Sequence, residues 1–316
     1  MSLSFRSVHP ADFPRCLELL AGQGCYDPDV LAELPRLWGE LIGRRRLVMD
    51  VFEDSARPPS QRLICFVNGT FVTAEFADSL LADPAPFIAN AVYRRELAGN
   101  TVILDWDRVG SANSGPGVDM LGLDYALERL NLADLTGLGI MPLAAETLRL
   151  FIGGYRVRSI HREVFGYEMR IVARMSGWRL RSAYRNHRKA VRSRAGAGHP
   201  ALLGMTRQEA PGCAGSMASL YFTDPRPIFL FTPAQQDLLT LALHHATDAE
   251  AAGHLDISPS TVKKHWEAIF ARVAAVGPDW FPRDGSNDER TTRGVEKRRH
   301  LLDYLRSHLD EIRPRG

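Results

Sequence analysis

The chain has 316 residues, of which 45% are hydrophobic and 24% are charged, so it can form one large or two ordinary globular domains. Its formal net charge of +2 provides no overall attraction to nucleic acid, so such attraction depends on where the charges lie. The four cysteines lack Cys-x-x-Cys spacing and indicate neither a disulfide framework nor a zinc site. No apolar run reaches the roughly 18 residues of a membrane span, so a cytoplasmic protein is expected.

The first 184 residues alternate helical and strand periodicity, which predicts one mixed α/β domain. Two helices are predicted before residue 43, one from Pro10 and one with apolar positions from Leu31 to Ile42. The predicted elements that follow are strands at Leu47–Phe52, Leu63–Val72, Thr101–Trp106 and Tyr155–Phe165, and helices at Pro142–Ile152 and Tyr167–Trp178. Gly110–Gly117 is predicted as a glycine-rich turn, and residues 118–130 are ambiguous.

A basic run follows this domain. Eight arginine and lysine side chains lie between residues 174 and 194 without any Asp or Glu, and a glycine-rich stretch, Ala195–Pro200, comes next. Such composition is typical of flexible connections, so residues 185–228 are predicted to be a basic flexible linker.

Three short helices are predicted in the second domain, residues 229–275: Pro233–His245, Asp248–His254 and Pro259–Val273. Each has apolar side chains on one face, which predicts a three-helix core. Ser258 suits the N-cap of the third helix, and Pro259 suits its first position because the missing N–H has no partner there anyway.

The second domain resembles the LuxR-type DNA-binding domain over about 43 residues. The matching positions are Thr232-Pro233, Leu239, Leu241, Glu250, Ala252, Leu255, Ile257-Ser258, Thr261-Val262-Lys263, His265 and Ile269. The resemblance implies a helix-turn-helix that binds double-stranded DNA with the helix from Pro259 in the major groove. It implies the following DNA-binding residues: Ser258, Ser260, Thr261, Lys263, Lys264, His265 and Glu267.

The chain departs from that family at several positions. His245 stands where the family usually has Gly, and Asp248-Ala249 where it has an Asn-Lys pair. Residues 231–273 carry three basic and five acidic side chains, which is unfavourable for phosphate contacts. A three-helix bundle that binds only protein therefore stays open as an alternative, and Glu267 could either accept from a cytosine or pair with a lysine.

Residues 276–316 are predicted to hold an insertion and a C-terminal amphipathic basic helix over residues 293–312. From residue 290 onward there are eight basic and four acidic side chains, and apolar side chains recur at helical spacing from Val295 to Ile312. This helix is predicted to pack on the bundle or on its copy in a homodimer, which would double the positive charge.

The first domain resembles the GNAT-type acyltransferase fold, in the order of its elements, in the opening Phe5–Asp12 and in the turns Phe151–Val157 and Ser176–Leu180. An acyl-CoA site of that family requires Gln or Arg, two residues, then Gly-x-Gly or Gly-x-Ala at the start of a helix. In Arg108–Gly117 the basic residue Arg108 is one position too close to the first glycine, and Pro116 lacks a backbone N–H that could donate to the diphosphate. No cofactor is therefore predicted.

Other candidate sites in the sequence have simpler interpretations. Asp105 and Asp107 could be paired carboxylates, but Asp at a strand end more often forms a turn. His161 and Glu163 alternate on one strand face, where a solvated cross-strand pair is favoured over a base with an orienting group. No catalytic residue and no metal ligand is predicted.

The sequence therefore predicts a DNA-binding transcription regulator whose first domain senses a small molecule or a protein partner. The coupling would act through a shift of the domain or dimer arrangement on ligand binding. The alternative is a GNAT-type N-acyltransferase with an appended helix-turn-helix.

Overall fold

The computed structural model describes residues 3–21, 25–128, 139–184, 199–277, 280 and 290–314, with the side chains of 290–295 excepted. The chain divides into two compact units, one formed by Met1–Ile152 with Arg156–Thr223 and one formed by Gly153–Tyr155 with Asp224–Pro314. None of the described helices combines the length and the apolar composition that crossing a bilayer requires.

The first unit is built on one seven-stranded mixed sheet. Its strands are β1 (Leu3–Ser7), β2 (Val48–Asp54), β3 (Leu63–Val72), β4 (Val118–Leu127), β5 (Val157–Phe165), β6 (Arg179–Ala183) and β7 (Pro200–Thr206). Their order in the sheet is β1-β2-β3-β4-β5-β7-β6. All neighbours are antiparallel except β4 and β5, which are parallel.

Helices cover both faces of this sheet. They are α1 (Phe13–Ala21), α2 (Pro28–Gly43), α3 (Ala74–Ala82), α4 (Ile88–Leu97), α5 (Trp106–Ser114), α6 (Ile140–Ile152) and α7 (Tyr167–Met175). One apolar cluster joins α1 to α4 with Phe66 of β3, and a second joins α6 and α7 with the adjacent Cys65. Because neighbouring side chains of a strand point to opposite faces, α1 to α4 lie on one face and α6 and α7 on the other.

The second unit contains four described helices, α8 (Pro233–Leu243), α9 (Asp248–His254), α10 (Pro259–Val276) and α11 (Arg290–Ser307), and a short 3-10 helix, Leu309–Ile312. Thr232 and Thr247 form capping boxes at the starts of α8 and α9, and the hydroxyl of Ser258 accepts the backbone N–H of Thr261 at the start of α10. These local signals explain why the helices begin within a residue of the predicted positions.

The prediction for residues 101–117 is wrong in two respects. Thr101–Trp106 is not a strand, since only Ile103 forms an isolated bridge, with Val72. Gly110–Gly117 is not a turn between strands, because α5 runs through Gly110 to Ser114. The carboxylate of Asp105 accepts the N–H of Arg108 at 2.9 Å and caps this helix, while the apolar side chains of residues 102 and 103 fill the core as an extended segment.

The structure also differs from the predicted linker over 185–228. Pro200–Thr206 is strand β7, which lies inside the sheet between β5 and β6, and two 3-10 helices, Ala210–Cys213 and Met217–Tyr221, follow it. Ala201, Leu202, Leu203 and Met205 are fully buried. The strand is stabilised by pairing with β5, about 40 residues earlier in the chain, and composition within a short window carries no signal of such pairing. Residues 185–198 of the predicted linker lie outside the described residues.

The predicted fold class is therefore present as a mixed α/β sheet with helices and a set of C-terminal helices. The C-terminal helix predicted over 293–312 is divided into α11 and the 3-10 helix Leu309–Ile312. The interpretation of α8 to α10 as a helix-turn-helix stays a prediction.

Candidate functional site

The two parallel strands β4 and β5 separate along their length. Their pairing begins at Val118 and Val157 and ends at Gly122 and Arg162. Beyond that point β4 continues to Leu127 beside β3 and β5 continues to Phe165 beside β7. Among the described strands, β4 and β5 are therefore not paired with each other over this stretch, which leaves an opening between them.

A β-bulge lies in β4 where the opening starts. Gly69 of β3 pairs with Gly122 and the adjacent Asn68 pairs with Asp124, so Leu123 is the extra residue of β4. A bulge reverses the alternation of side chains along a strand. It directs Asp124 toward α4 and Tyr125 toward α6, in agreement with the contacts of the two side chains.

A cavity of about 90 Å³ adjoins the opening. It is lined by residues of β2 to β5, of α6 and of the segment after α7, and the polar and charged members are Asp50, Asn68, Asp124, Tyr125, Thr147, Arg162 and Glu163. Met120, Phe151, Ile160 and Trp178 contribute apolar walls. A mostly apolar cavity with a few converging polar groups is the usual form of a small-molecule site.

Asp124 is held in a buried network of hydrogen bonds. Its carboxylate accepts the hydroxyl of Tyr26, the side-chain amide of Asn68 at 2.9 Å and the hydroxyl of Tyr93 at 3.4 Å. The indole of Trp38 donates in turn to Tyr93 at 3.1 Å. Burial raises the pKa of Asp124 to about 6, although these hydrogen bonds oppose the shift.

Glu163 of β5 caps helix α4. Its two carboxylate oxygens accept the backbone N–H groups of Phe87 at 2.8 Å and Ile88 at 3.2 Å. Burial, with a smaller contribution from the charge of Asp124, raises the pKa of Glu163 to about 7, against the lowering effect of the two hydrogen bonds. A carboxyl group with this pKa exchanges a proton readily near neutral pH.

His161 and Glu163 are both buried, so the predicted solvated cross-strand pair is wrong. The imidazole of His161 makes no hydrogen bond within the described residues, and burial lowers its pKa to about 4. Asp105 and Asp107 lie at the start of α5, where Asp105 acts as the helix cap rather than as one of a carboxylate pair.

A second glycine-rich stretch precedes α6. Asp134-Leu135-Thr136-Gly137-Leu138-Gly139 comes directly before Ile140, the first residue of α6, in the connection from β4. It has the Gly-x-Gly spacing of the acyl-CoA motif, with Asp134 in the position of Gln or Arg. Gly139 has φ +74°, a left-handed value that favours glycine. Residues 129–138 lie outside the described residues.

The seven residues predicted to bind DNA lie together at the start of α10. Ser260, Lys263, Lys264 and Glu267 are exposed, whereas Thr261 and His265 are half-buried. The exposed hydroxyl of Ser258 lies 2.7 Å from that of Ser260 and 2.8 Å from that of Thr261. The side chains are thus brought to one surface, and their role in DNA binding stays a prediction.

Within the described residues, no cluster of three or more His, Cys, Asp or Glu side chains is arranged to hold a metal ion. No family model and no curated protein matches the chain.

Several solved structures are similar to the chain over about two thirds of its length. Arabidopsis thaliana NAA60 in complex with acetyl-CoA is 15% identical with a TM-score of 0.41, covering 65% of this chain and 98% of that one. The spermidine N-acetyltransferase SpeG from Vibrio cholerae is 9% identical with a TM-score of 0.37, covering 66% and 95%. A putative GNAT-family acetyltransferase from Desulfovibrio desulfuricans is 11% identical with a TM-score of 0.37, covering 65% and 99%.

Proposed function

We propose that the first unit is a GNAT-type N-acyltransferase that binds an acyl-CoA in the opening between β4 and β5. The main support for this proposal is the position of Glu163, which has a pKa raised to about 7 and lines the cavity where the two parallel strands separate. Backbone groups on the facing edges of the two strands would hydrogen-bond the extended pantetheine arm. The N–H groups at the start of α6 would bind the diphosphate, after the Gly137-x-Gly139 sequence.

The reaction assigned to this site is the transfer of an acyl group to an amine. The amine nitrogen attacks the thioester carbonyl carbon, a C–N bond forms, the C–S bond breaks, and the CoA thiolate leaves and takes up a proton. Glu163 is the group that accepts the proton from the ammonium or from the tetrahedral intermediate, since its pKa lies close to neutral pH. Asp124 accepts hydrogen bonds from the side chains of Tyr26, Asn68 and Tyr93 and holds them in place.

The test is calorimetric titration of the full chain with acetyl-CoA, followed by an assay of thiol release with a panel of primary amines. We expect saturable binding and amine-dependent release of CoA. Glu163→Gln should lower the rate by 10²-fold or more while leaving acetyl-CoA binding intact. Glu168→Gln, on the exposed face of α7, is the matched control. Absence of acetyl-CoA binding, or equal rates in Glu163→Gln and wild type, would contradict the proposal.

We propose as a second candidate function that the second unit binds double-stranded DNA as a helix-turn-helix, so that the chain acts as a transcription regulator. The specific observation in its favour is the backbone of His245, which has φ 65° directly after α8. The LuxR-type family usually has Gly at this position, and Gly commonly ends a helix in the same left-handed conformation. Lys263 and Lys264 are exposed on the helix that would enter the groove.

Selection of binding sites from random duplex DNA tests this second function. We expect a preferred sequence, an affinity that falls steeply as salt rises, and loss of binding in Lys263→Ala/Lys264→Ala. A symmetric consensus would also support the homodimer. Arg36→Ala, an exposed cation of α2, is the control for charge alone. No sequence preference, or unchanged binding in the double variant, would refute this function while leaving the acyltransferase assignment untouched.

A further inference from the structure

The half-buried side chain of Arg162 has no acidic partner among the described residues of the first unit. Within the described residues it forms no ion pair and no hydrogen bond, and its one polar contact is with the face of the Tyr125 ring, 5.4 Å from the ring centroid. Arg162 lines the cavity, and burial alone lowers its pKa. A cation that is partly removed from water beside an apolar cavity is stabilised by a nearby anion.

Three other half-buried arginines of the same unit have carboxylate partners. Arg158, four residues earlier on β5, pairs with Asp119 at 2.7 Å, and Arg46 pairs with Glu96 at 3.3 Å. Arg181 of β6 pairs with Glu209. Arg162 therefore differs from its neighbours in facing a cavity instead of a carboxylate.

Two glycines leave room beside Arg162. Val48, Gly69, Gly122 and Arg162 are partners in one row across β2, β3, β4 and β5. A Cβ on Gly122 would lie 3.2 Å from the Cβ of Arg162, and a Cβ on Gly69 would lie 2.7 Å from the ring of Phe151. Because these two glycines have no side chains, their backbone forms the floor of the cavity, and the Arg162 side chain has room to lie across β4.

The rest of the cavity suits a short apolar chain attached to an anion. Met120, Phe151 and Ile160 line it beside Arg162. Asp50 also lines it, but on β2, three strands from Arg162, which is about 14 Å at the usual strand spacing. Asp124 and Glu163 also line it, with their carboxylates hydrogen-bonded on the α4 side of the sheet, and their raised pKa values weaken the negative charge that a bound anion would meet.

We propose that this cavity binds a short aliphatic carboxylate, with the carboxylate paired to Arg162 and the chain over Gly69 and Gly122. The planar guanidinium matches a carboxylate in a bidentate geometry. Two sources supply this chemistry: a free carboxylic acid, or the far end of an acyl group carried by CoA. The second source rests on the proposed acyltransferase function, and the first does not.

Calorimetric titration of the full chain distinguishes the two sources. Pentanoate is compared with the neutral pentanamide, and glutaryl-CoA, which ends in a carboxylate, with pentanoyl-CoA, which ends in a methyl group. We expect a preference of at least tenfold for the carboxylate within at least one pair. Arg162→Met should abolish that preference, Arg162→Lys should retain part of it, and Arg36→Met should leave it unchanged. Circular dichroism checks that the variants fold. If Arg162→Met does not fold, the result with Arg162→Lys decides the outcome.

Each outcome bears on the proposal. Equal affinity within both pairs, absence of binding of all four compounds, or a preference that survives Arg162→Met and Arg162→Lys unchanged would overturn it. Binding of pentanoate without binding of either CoA ester would support the carboxylate site and contradict the acyltransferase. Equal binding of both CoA esters, with no discrimination between pentanoate and pentanamide, would support the acyl-CoA site and refute the role of Arg162.

Discussion

The carboxylate of Glu163 accepts the backbone N–H of Phe87 at 2.8 Å, and Phe87 is the N-cap residue of α4 with a left-handed φ of 64°. The side chain of Phe87 provides no capping hydrogen bond. A carboxylate from a strand 76 residues away in sequence therefore takes the place of the usual Ser, Thr or Asp cap, and it links the candidate site to the start of a helix.

This relationship predicts how stability depends on pH. Glu163 has a folded-state pKa of about 7, above the ordinary value of 4.5, so between these values the folded chain binds more protons than the unfolded chain. The free energy of unfolding should therefore fall as pH rises from about 4.5 to about 7. In Glu163→Gln this loss should be smaller, and urea denaturation at pH 5 and pH 7.5 measures it.

Two comparisons separate the contribution of Glu163 from those of other carboxylates. Glu168→Gln removes an exposed carboxylate and should keep the wild-type pH dependence. Asp124, with a pKa raised to about 6, contributes a similar fall between its ordinary value of 3.8 and about 6, and this part should persist in Glu163→Gln. If wild type and Glu163→Gln lose equal stability over this interval, the raised pKa of Glu163 is wrong.

A second prediction concerns Gly69 in the floor of the cavity. A Cβ at this position would lie 2.7 Å from Phe151, 3.0 Å from Met120 and 3.2 Å from the carbonyl oxygen of Leu121. Gly69→Ala should therefore lower the free energy of unfolding by about 1–3 kcal/mol, as overpacking does in other cores. Gly43→Ala, where a Cβ meets nothing within 4 Å, should be close to neutral. Chemical denaturation of the two variants decides the matter, and similar stabilities would contradict the packing described for Gly69.

Local signals predicted the C-terminal helices well. Thr232-Pro233 and Ser258-Pro259 place a capping side chain before a proline, and α8 and α10 begin at those prolines. Strand β3 also has the predicted bounds, because its ten residues are rich in β-branched and aromatic side chains and are buried on both faces. Such features depend on residues close together in the chain.

The candidate site could not be predicted in the same way. Asp124 and Glu163 lie on strands whose paired residues are about 40 positions apart in the chain, and their raised pKa values result from burial. Strand β7 was assigned to a linker for the same reason. Because the sequence predicts a strand at Thr101–Trp106, it places the expected glycine motif at residues 108–117 and not at Gly137 and Gly139.

A third prediction concerns the contact between α10 and α11. The guanidinium of Arg298 lies over the ring of Trp266, 4.4 Å from its centroid, and pairs with Asp248 at 2.7 Å. The indole N–H of Trp266 donates to the same carboxylate at 3.3 Å. Arg298→Ala should destabilise the second unit by about 1 kcal/mol, because the ion pair is partly exposed and the cation–π contact supplies the rest.

Hydrogen exchange of α10 and α11 in the full chain measures this effect. The exposed Arg299→Ala is the control, and its exchange should match the wild type. In a double-mutant cycle, Asp248→Ala and Arg298→Ala should be non-additive by a few tenths of a kcal/mol, less in high salt. Strict additivity would show that the two side chains do not interact in solution.

The last prediction concerns His245, which is exposed and has φ 65° after the end of α8. The N–H of the next residue, Ala246, donates to the carbonyl of Leu241 at 3.0 Å, so the backbone closes the helix whatever side chain is present. A non-glycine residue in this conformation costs about 1 kcal/mol, so His245→Gly should raise the free energy of unfolding by up to that amount. His245→Ala keeps the left-handed strain and should bring no such gain. Thermal and urea denaturation of both variants provide the measurement, and a destabilised His245→Gly would show that the imidazole itself supports the turn.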